Sequence, residues 1–254
     1  MPNYYGASVN AVYSSVKDLV NKDQQGFISP AVFNNFAQVA QLSIFNKLFD
    51  DLKDGKRLRK AGFDPGRDKS QTKRIEEDLA RFAFSRTITK AEGLFEKPSD
   101  LSRIISMTTF GSILLGQSTR TPIEMCYDEE KIDRILRNNI SSPTESYPIA
   151  LVSSNIEVFP SSLQKITMRY YRIPGSISLR DSARTTGGPF FNTLSIDGND
   201  VFDSTTSRDF ELPEHYIEEL IHEIASMAGV NLRDKEVQGF GKNSSMAEQQ
   251  QGTF

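Results

Sequence analysis

The chain has no tryptophan, one cysteine (Cys126) and two histidines, His215 and His222. A single cysteine excludes an intrachain disulfide and a four-cysteine zinc site, and fits synthesis in a reducing compartment. No run reaches the ~18 consecutive apolar residues of a membrane-spanning helix. The opening MPNYYGASVN lacks the basic and apolar segments of a signal peptide, so a protein without membrane contact is expected. An excess of one charge is missing too: 30 basic against 33 acidic side chains give a net charge of −3. That balance is too even to predict nucleic-acid or anionic-membrane affinity from bulk charge. What remains is a chain of 254 residues, long enough to bury a core without covalent staples.

A local absence is more telling. After Asp23 no charged residue appears until Lys47, and seven Asn and Gln fall in between. Residues 8–25 read as a helix capped by Ser8, with Val9, Val12, Tyr13, Val16, Leu19 and Val20 on one face and Gly26 at its end. Ser29-Pro30 restarts a helix that is expected to run to Asp54, where Gly55 stops it. On that second helix Val32, Phe33, Phe36, Val39, Ala40 and Ile44 cover one side, and Leu42, Phe45 and Phe49 fall largely opposite. An apolar stripe on a surface helix spans little more than 100°; this one exceeds half the circumference. The helix is therefore either central in its own domain or shared between subunits. Asn34, Asn35, Gln38, Gln41 and Asn46 fill the gaps with groups that hydrogen-bond without the desolvation cost of a charge. The shared reading nominates Phe33, Phe36, Gln38, Gln41, Leu42, Phe45 and Phe49 as a subunit or partner interface.

Residues 53–74 carry nine Lys and Arg against three Asp, interrupted by Gly55, Gly62, Pro65 and Gly66, and read as a loop or extended arm. One function for it is contact with DNA phosphates or an acidic partner through Lys56, Arg57, Arg59, Lys60, Lys73 and Arg74, which would make the chain a nucleic-acid-binding accessory protein. The other reading is a solvated loop, since no aromatic residues interleave for base stacking. A helix follows at about 71–86. From Pro98, short β-branched or aromatic runs bounded by Gly, Pro, Ser and Asn read as strands, interrupted by a helix at about 128–138 capped by Asp128. Residues 181–208 read as loop. Pro213 opens a last helix closed by Gly229, and 235–254 is a polar tail. The expected fold class is α+β: a helical bundle of N-terminal helices and the C-terminal helix, with an inserted small antiparallel β-rich subdomain. The expected divisions are 1–97, helical with its basic arm; 98–180, β-rich; 181–234, loop and returning helix; and the tail.

No constellation for chemistry stands out. Glu219-Leu-Ile-His222 has a spacing that binds iron in helical bundles, but that site needs a second copy and further carboxylates. No Gly-x-Ser-x-Gly elbow is present, and TTGGPF lacks the lysine of a phosphate-binding loop. The expectation is no catalysis, no metal and no cofactor.

Three stretches in order carry a resemblance: NAVYSSVKDLVNKDQQGFISPAVFNNFAQVAQLSIFNKLF, YPIALVSSNIEVFPSSLQKITMRYYRIP and FELPEHYIEELIHEIASMAGVNLRD. The first has a Gly-Phe-Ile-Ser-Pro turn and the Ala40-Gln41 pair. The second ends in Tyr-x-Arg-x-Pro, and the third has Leu-Pro-Glu. Together they resemble the head-to-tail connector adaptors of tailed bacteriophages, of the crAss-like and podovirus type. The family pattern often continues from the second stretch to another proline and a tryptophan, where this chain has Gly175-Ser176-Ile177. The resemblance implies a virion structural protein assembled in the host cytoplasm. It implies a homo-oligomeric ring, typically of twelve copies, docked to the portal protein and leading to tail or further ring proteins. Double-stranded DNA would pass through it during genome ejection, and the 53–74 arm and polar tail would reach portal or tail proteins.

Overall fold

The computed structural model describes residues 6–21, 28–60, 66–114, 117–138, 142–175, 187–196 and 199–231. In chain order its elements begin α1 (Val9–Asn21), α2 (Pro30–Lys60), α3 (Gly66–Ala80), β1 (Ala83–Thr89), β2 (Leu101–Leu114), β3 (Gln117–Cys126) and α4 (Glu129–Arg137). There follow β4 (Ile149–Val152), β5 (Ile156–Phe159), β6 (Lys165–Arg172), β7 (Thr193–Ile196), β8 (Asn199–Phe202) and α5 (Ile217–Asn231). Two compact units form. One joins Met1–Arg81 to Pro174–Phe254, and the other is the continuous stretch Phe82–Ile173.

In the discontinuous unit, α5 packs on α1 and α2, and α3 packs on α2. The buried residues of α1 are Val9, Val12, Tyr13, Val16 and Val20, the helical period read from the sequence. The Val9 amide donates at 2.9 Å to the Asp209 carboxylate, so the first turn is satisfied from across the chain and not by the Ser8 side chain. Helix α2 does not stop at Gly55. A Cβ there would lie 2.7 Å from the Thr72 hydroxyl, so the glycine admits the close approach of α3. It accepts the cost of about 1 kcal/mol that glycine carries inside a helix. The basic stretch is accordingly not a loop or arm: α2 continues to Lys60 and α3 begins at Gly66. The turn at Gly26, residues 61–65 and the tail 235–254 lie outside the described residues.

The continuous unit is a six-stranded sheet of order β1-β6-β2-β3-β4-β5. Its pairs are antiparallel except β3 with β4, which run parallel and are joined through α4. Asp128 caps α4, its carboxylate accepting from Glu130 N and Lys131 N. The core is built on Phe95, Met107, Ile123, Ile156, Val158, Ile166 and Met168. Strand β6 pairs with β2 only as far as Thr108, and β4 joins β3 only from Glu124. Among the described residues, the far ends of β2 and β3 therefore form a two-stranded ribbon. Pro122 sits where β3 has a neighbour on one side only, a place where its missing N–H is tolerated.

The architecture corrects the expected helical bundle with a small antiparallel insert. The protein is a mixed α/β structure whose sheet includes a parallel crossover, and a second, two-stranded sheet of β7 and β8 stands in the segment read as loop. Two misreadings produce the error. Ala83, Phe82 and Leu79 continue a helical spacing, but the chain leaves the helix at Ala80 and Ala83–Thr89 pairs with β6 along its whole length. Strands β7 and β8 have four residues each, too few for alternation to stand out of their polar surroundings.

One buried polar pair anchors the sheet. Asp100 is 3% exposed, and the Tyr170 hydroxyl donates to its carboxylate, lying 3.0 and 3.2 Å from the two oxygens. Burial, and then the bond to Asp100, push the Tyr170 hydroxyl from its ordinary 10.0 up to about 12. The folded state thus holds a proton that the unfolded chain releases first, so this stabilisation is complete below pH 10 and is lost as pH rises towards 12. We expect Tyr170→Phe to lower stability by about 1–3 kcal/mol at neutral pH. Thermal melts should show the gap between wild type and variant narrowing from pH 10 to 12; a gap that stays constant would remove the assigned bond.

Candidate interaction face on the long helix

The carboxamides of α2 divide into two sets. Asn34 and Gln41 are 7% and 1% exposed. The Asn34 Nδ2 donates to the Phe191 carbonyl at 3.0 Å, and the Phe191 N–H donates to Asn34 Oδ1 at 2.7 Å. Gln41 Oε1 accepts from the Glu211 N–H at 2.8 Å. These two side chains hold the backbone of the segment that returns to the helices after the sheet. A carboxylate cannot do the same work, because the Phe191 carbonyl requires a donor. Asn35, Gln38 and Asn46 form the other set and are exposed.

The apolar residues divide similarly. Phe33, Phe45 and Phe49 are 0%, 0% and 6% exposed and belong to the core of their own unit; Phe36 is half-buried. Of the nominated interface residues, Gln38 and Leu42 face solvent. Val39, which the helical wheel sets on the same side as Phe33, is 55% exposed, and Leu42 is 42% exposed. Inward residues centre on Phe33, Ala37, Ala40 and Ile44, and at ~100° per residue Val39 falls beyond the margin of that arc. The exposed strip of α2 is therefore Ala31, Asn35, Gln38, Val39, Leu42 and Asn46, on one side of successive turns and free of charge.

Sequence reading missed a second exposed apolar site in the same unit. On the β7–β8 ribbon Leu194 stands directly opposite Val201, and they are 52% and 47% exposed. The ribbon is rooted through aromatic contacts. Phe202 stacks on Phe191 at 5.5 Å, and Phe191 stacks on Tyr13 at 3.9 Å, with Phe33 edge-on to Tyr13 at 5.0 Å. Burial raises the Tyr13 hydroxyl above its ordinary range, with the Asp200 carboxylate adding to the effect. At the base, Thr205 and Thr206 donate to Asp203, holding its carboxyl down at about 2.

Lys56 pairs with Glu76 at 3.0 Å and Lys73 approaches Glu77 at 3.8 Å; Arg57 and Arg74 are exposed. Arg59 lies on α2 and Lys60 is its last residue. His215 Nε2 lies 3.0 Å from Asp78, whose same oxygen accepts from the Tyr216 hydroxyl at 2.9 Å, tying α3 to the turn before α5. Burial and that carboxylate raise the Tyr216 hydroxyl well above the tyrosine range. His222 is half-buried on α5. Among the described residues no three His, Cys, Asp or Glu side chains stand together to hold a metal, and no helix is long and apolar enough to cross a membrane.

No protein-family profile matches the chain, and no curated protein matches it.

The two carboxamide sets predict opposite mutational outcomes. Asn34→Ala strands the buried N–H and C=O of Phe191 and is expected to cost about 2–4 kcal/mol by urea denaturation. Asn35→Ala, on the exposed strip, is expected to stay within about 0.5 kcal/mol of wild type. Equal effects would overturn the division.

Proposed function

We propose that this chain is a non-enzymatic structural protein of a phage particle, an adaptor that joins copies of itself into a ring between portal and tail and encloses part of the DNA passage. The observation that carries the reading is the exposed strip of α2 from Ala31 to Asn46, which mixes apolar and carboxamide side chains and holds no charge. A helix face meant for water is normally dressed with Lys and Glu. A face without them dehydrates at little cost, which favours protein contact. The motif order supplies the remaining support: its resemblance to connector adaptors implies a ring of about twelve copies, and a repeated heterologous contact closes into a ring where its rotation allows. A net charge of −3 agrees with a passage through which DNA slides without adhering.

The test is light scattering of the purified protein over a concentration series, with negative-stain imaging of the largest species. A closed annulus with rotational symmetry is expected, and the protein is expected among the components of purified particles. A single-chain mass at every concentration, together with absence from particles, ends the proposal. Because Leu42 is exposed, Leu42→Glu should leave the fold intact by circular dichroism and return the mass to that of one chain.

A further inference from the structure

Three strands that lie side by side in the six-stranded sheet, β1, β6 and β2, contain five Lys or Arg and no Asp or Glu. Alternation divides those cations between the two faces. Arg86 stands opposite Met168 on the core side, and the Arg172 guanidinium lies over the Phe84 ring at 5.1 Å. Lys165, Arg169 and Arg103 belong to the open side. On β6 the buried residues are Ile166, Met168 and Tyr170, while Lys165 and Arg169 between them are exposed. The register then builds a grid of hydroxyls around these cations. Thr89 stands opposite Lys165, Thr87 and Thr108 flank Thr167, Ser85 and Ser106 flank Arg169, and Arg103 lies opposite Tyr171. We propose that this open face binds the phosphate backbone of double-stranded DNA without regard to sequence. The inference takes from the reading above only the presence of DNA beside the chain, and adds the surface that meets it.

Charge complementarity selects the occupant. Among the described residues the Lys165 and Arg169 side chains have no hydrogen-bond or ion-pair partner, whereas Lys56 and Lys73 of the basic stretch face Glu76 and Glu77. A phosphate therefore meets Lys165 and Arg169 without displacing a carboxylate; the first acid across the sheet is Glu124 on β3. Serine and threonine hydroxyls join Lys and Arg in contacting phosphate oxygens. The Thr87 and Thr167 hydroxyls lie 3.2 Å apart, a pair that uses one of their two protons and leaves the other for an outside acceptor. The face also lacks what other occupants need. No described aromatic ring on these three strands is exposed, so unstacked bases find no platform. Ile105, at the bulge of β2, is the one exposed large apolar residue described on them, so a protein partner finds no cluster of anchors. Contact through a few cations is weak, in the non-specific range of about 10⁻⁴–10⁻⁶ M at physiological salt, and a moving duplex leaves it readily.

The probe is a labelled DNA duplex of arbitrary sequence, titrated with the full chain by fluorescence anisotropy between about 50 and 200 mM salt. Wild-type binding is expected to weaken as salt rises. Both cations are exposed, so the Lys165→Gln, Arg169→Gln double variant should keep its fold by circular dichroism. It should lower the slope of log K against log salt by about 2, equally for duplexes of unrelated sequence. Lys165→Arg with Arg169→Lys keeps both charges and should keep the wild-type slope. Lys56→Gln with Lys73→Gln, removing cations that already face carboxylates, should leave the slope unchanged. The inference is overturned if wild type binds no duplex at the lowest salt, if the slope survives loss of both charges on β6, or if it falls with the Lys56 and Lys73 changes instead. It is also overturned if polyglutamate displaces the label as effectively as unlabelled duplex of equal charge, which marks an acidic polypeptide as the occupant. Imaging reports on the ring separately. A wild type that forms annuli yet ignores duplex loses this face and keeps the ring; one that binds duplex as a single chain, with the expected loss of slope, keeps the face and loses the ring.

Discussion

Asn34 meets the Phe191 peptide as one strand residue meets another, giving a donor to its carbonyl and accepting from its N–H. The rest of the discontinuous unit is organised by that exchange. Phe191 is held where its ring fills the space between Tyr13 and Phe202, which joins α1 to the two-stranded sheet. Seven residues along the helix, Gln41 takes the Glu211 N–H on the same face and fixes the far end of the returning segment. From there the Asp209 carboxylate reaches the first amide of α1, and the Phe210 N–H bonds to the Ala7 carbonyl. A long apolar helix thus recruits an irregular strand by presenting amides where a core helix would present methyl groups. The requirement for both a donor and an acceptor accounts for carboxamide in place of carboxylate.

The same economy of charge has a different meaning on the solvent side of α2. Buried amides on the inward side satisfy peptide groups that no helix or sheet partner reaches. Exposed amides satisfy nothing within the described chain, and they flank Val39 and Leu42. One compositional signal, the charge-free run from Gln24 to Asn46, therefore serves the internal packing and leaves a face that is cheap to cover. Phe45 and Phe49, which the wheel sets apart from Phe33, need no neighbour to explain their burial, since both α3 and α5 pack on α2 within the unit.

Periodicity made α1, the apolar part of α2, α4 and α5 legible, whereas most of α3 lay in the basic stretch read as a loop. The buried positions of α1 match their spacing, and Asp128 caps α4 as its place before a charged amphipathic run implies. The strands with β-branched alternation, such as Lys165–Arg172, were likewise readable. What escaped is what depends on distant partners. Gly55 looks like a stop signal, and only the approach of Thr72 shows that it is a contact. Ala83–Thr89 looks like the tail of a helix until β6 claims it. The split of α2 into sealed and open faces was hidden because Phe33 and Leu42, or Asn34 and Asn35, are chemically alike. Their difference lies in where the chain returns, some 157 residues further on for Asn34. The Leu194–Val201 pair gave no signal in so short a ribbon.

The interruption of the helical unit by residues Phe82–Ile173 has a consequence for synthesis. A ribosome delivers the sheet as one uninterrupted piece, with both partners of every strand pair emerging before Pro174. The helices must wait. Until the returning segment arrives, Asn34 and Gln41 have no peptide to hold, Tyr13 and Phe33 have no Phe191 between them, and α1 has no Asp209 at its head. Completion of the unit then joins contacts of large sequence separation, the slow kind. A nascent chain that has emerged only as far as about residue 174 should thus carry a finished sheet and three helices whose greasy sides are still wet, and that interval is when chaperone protection matters most.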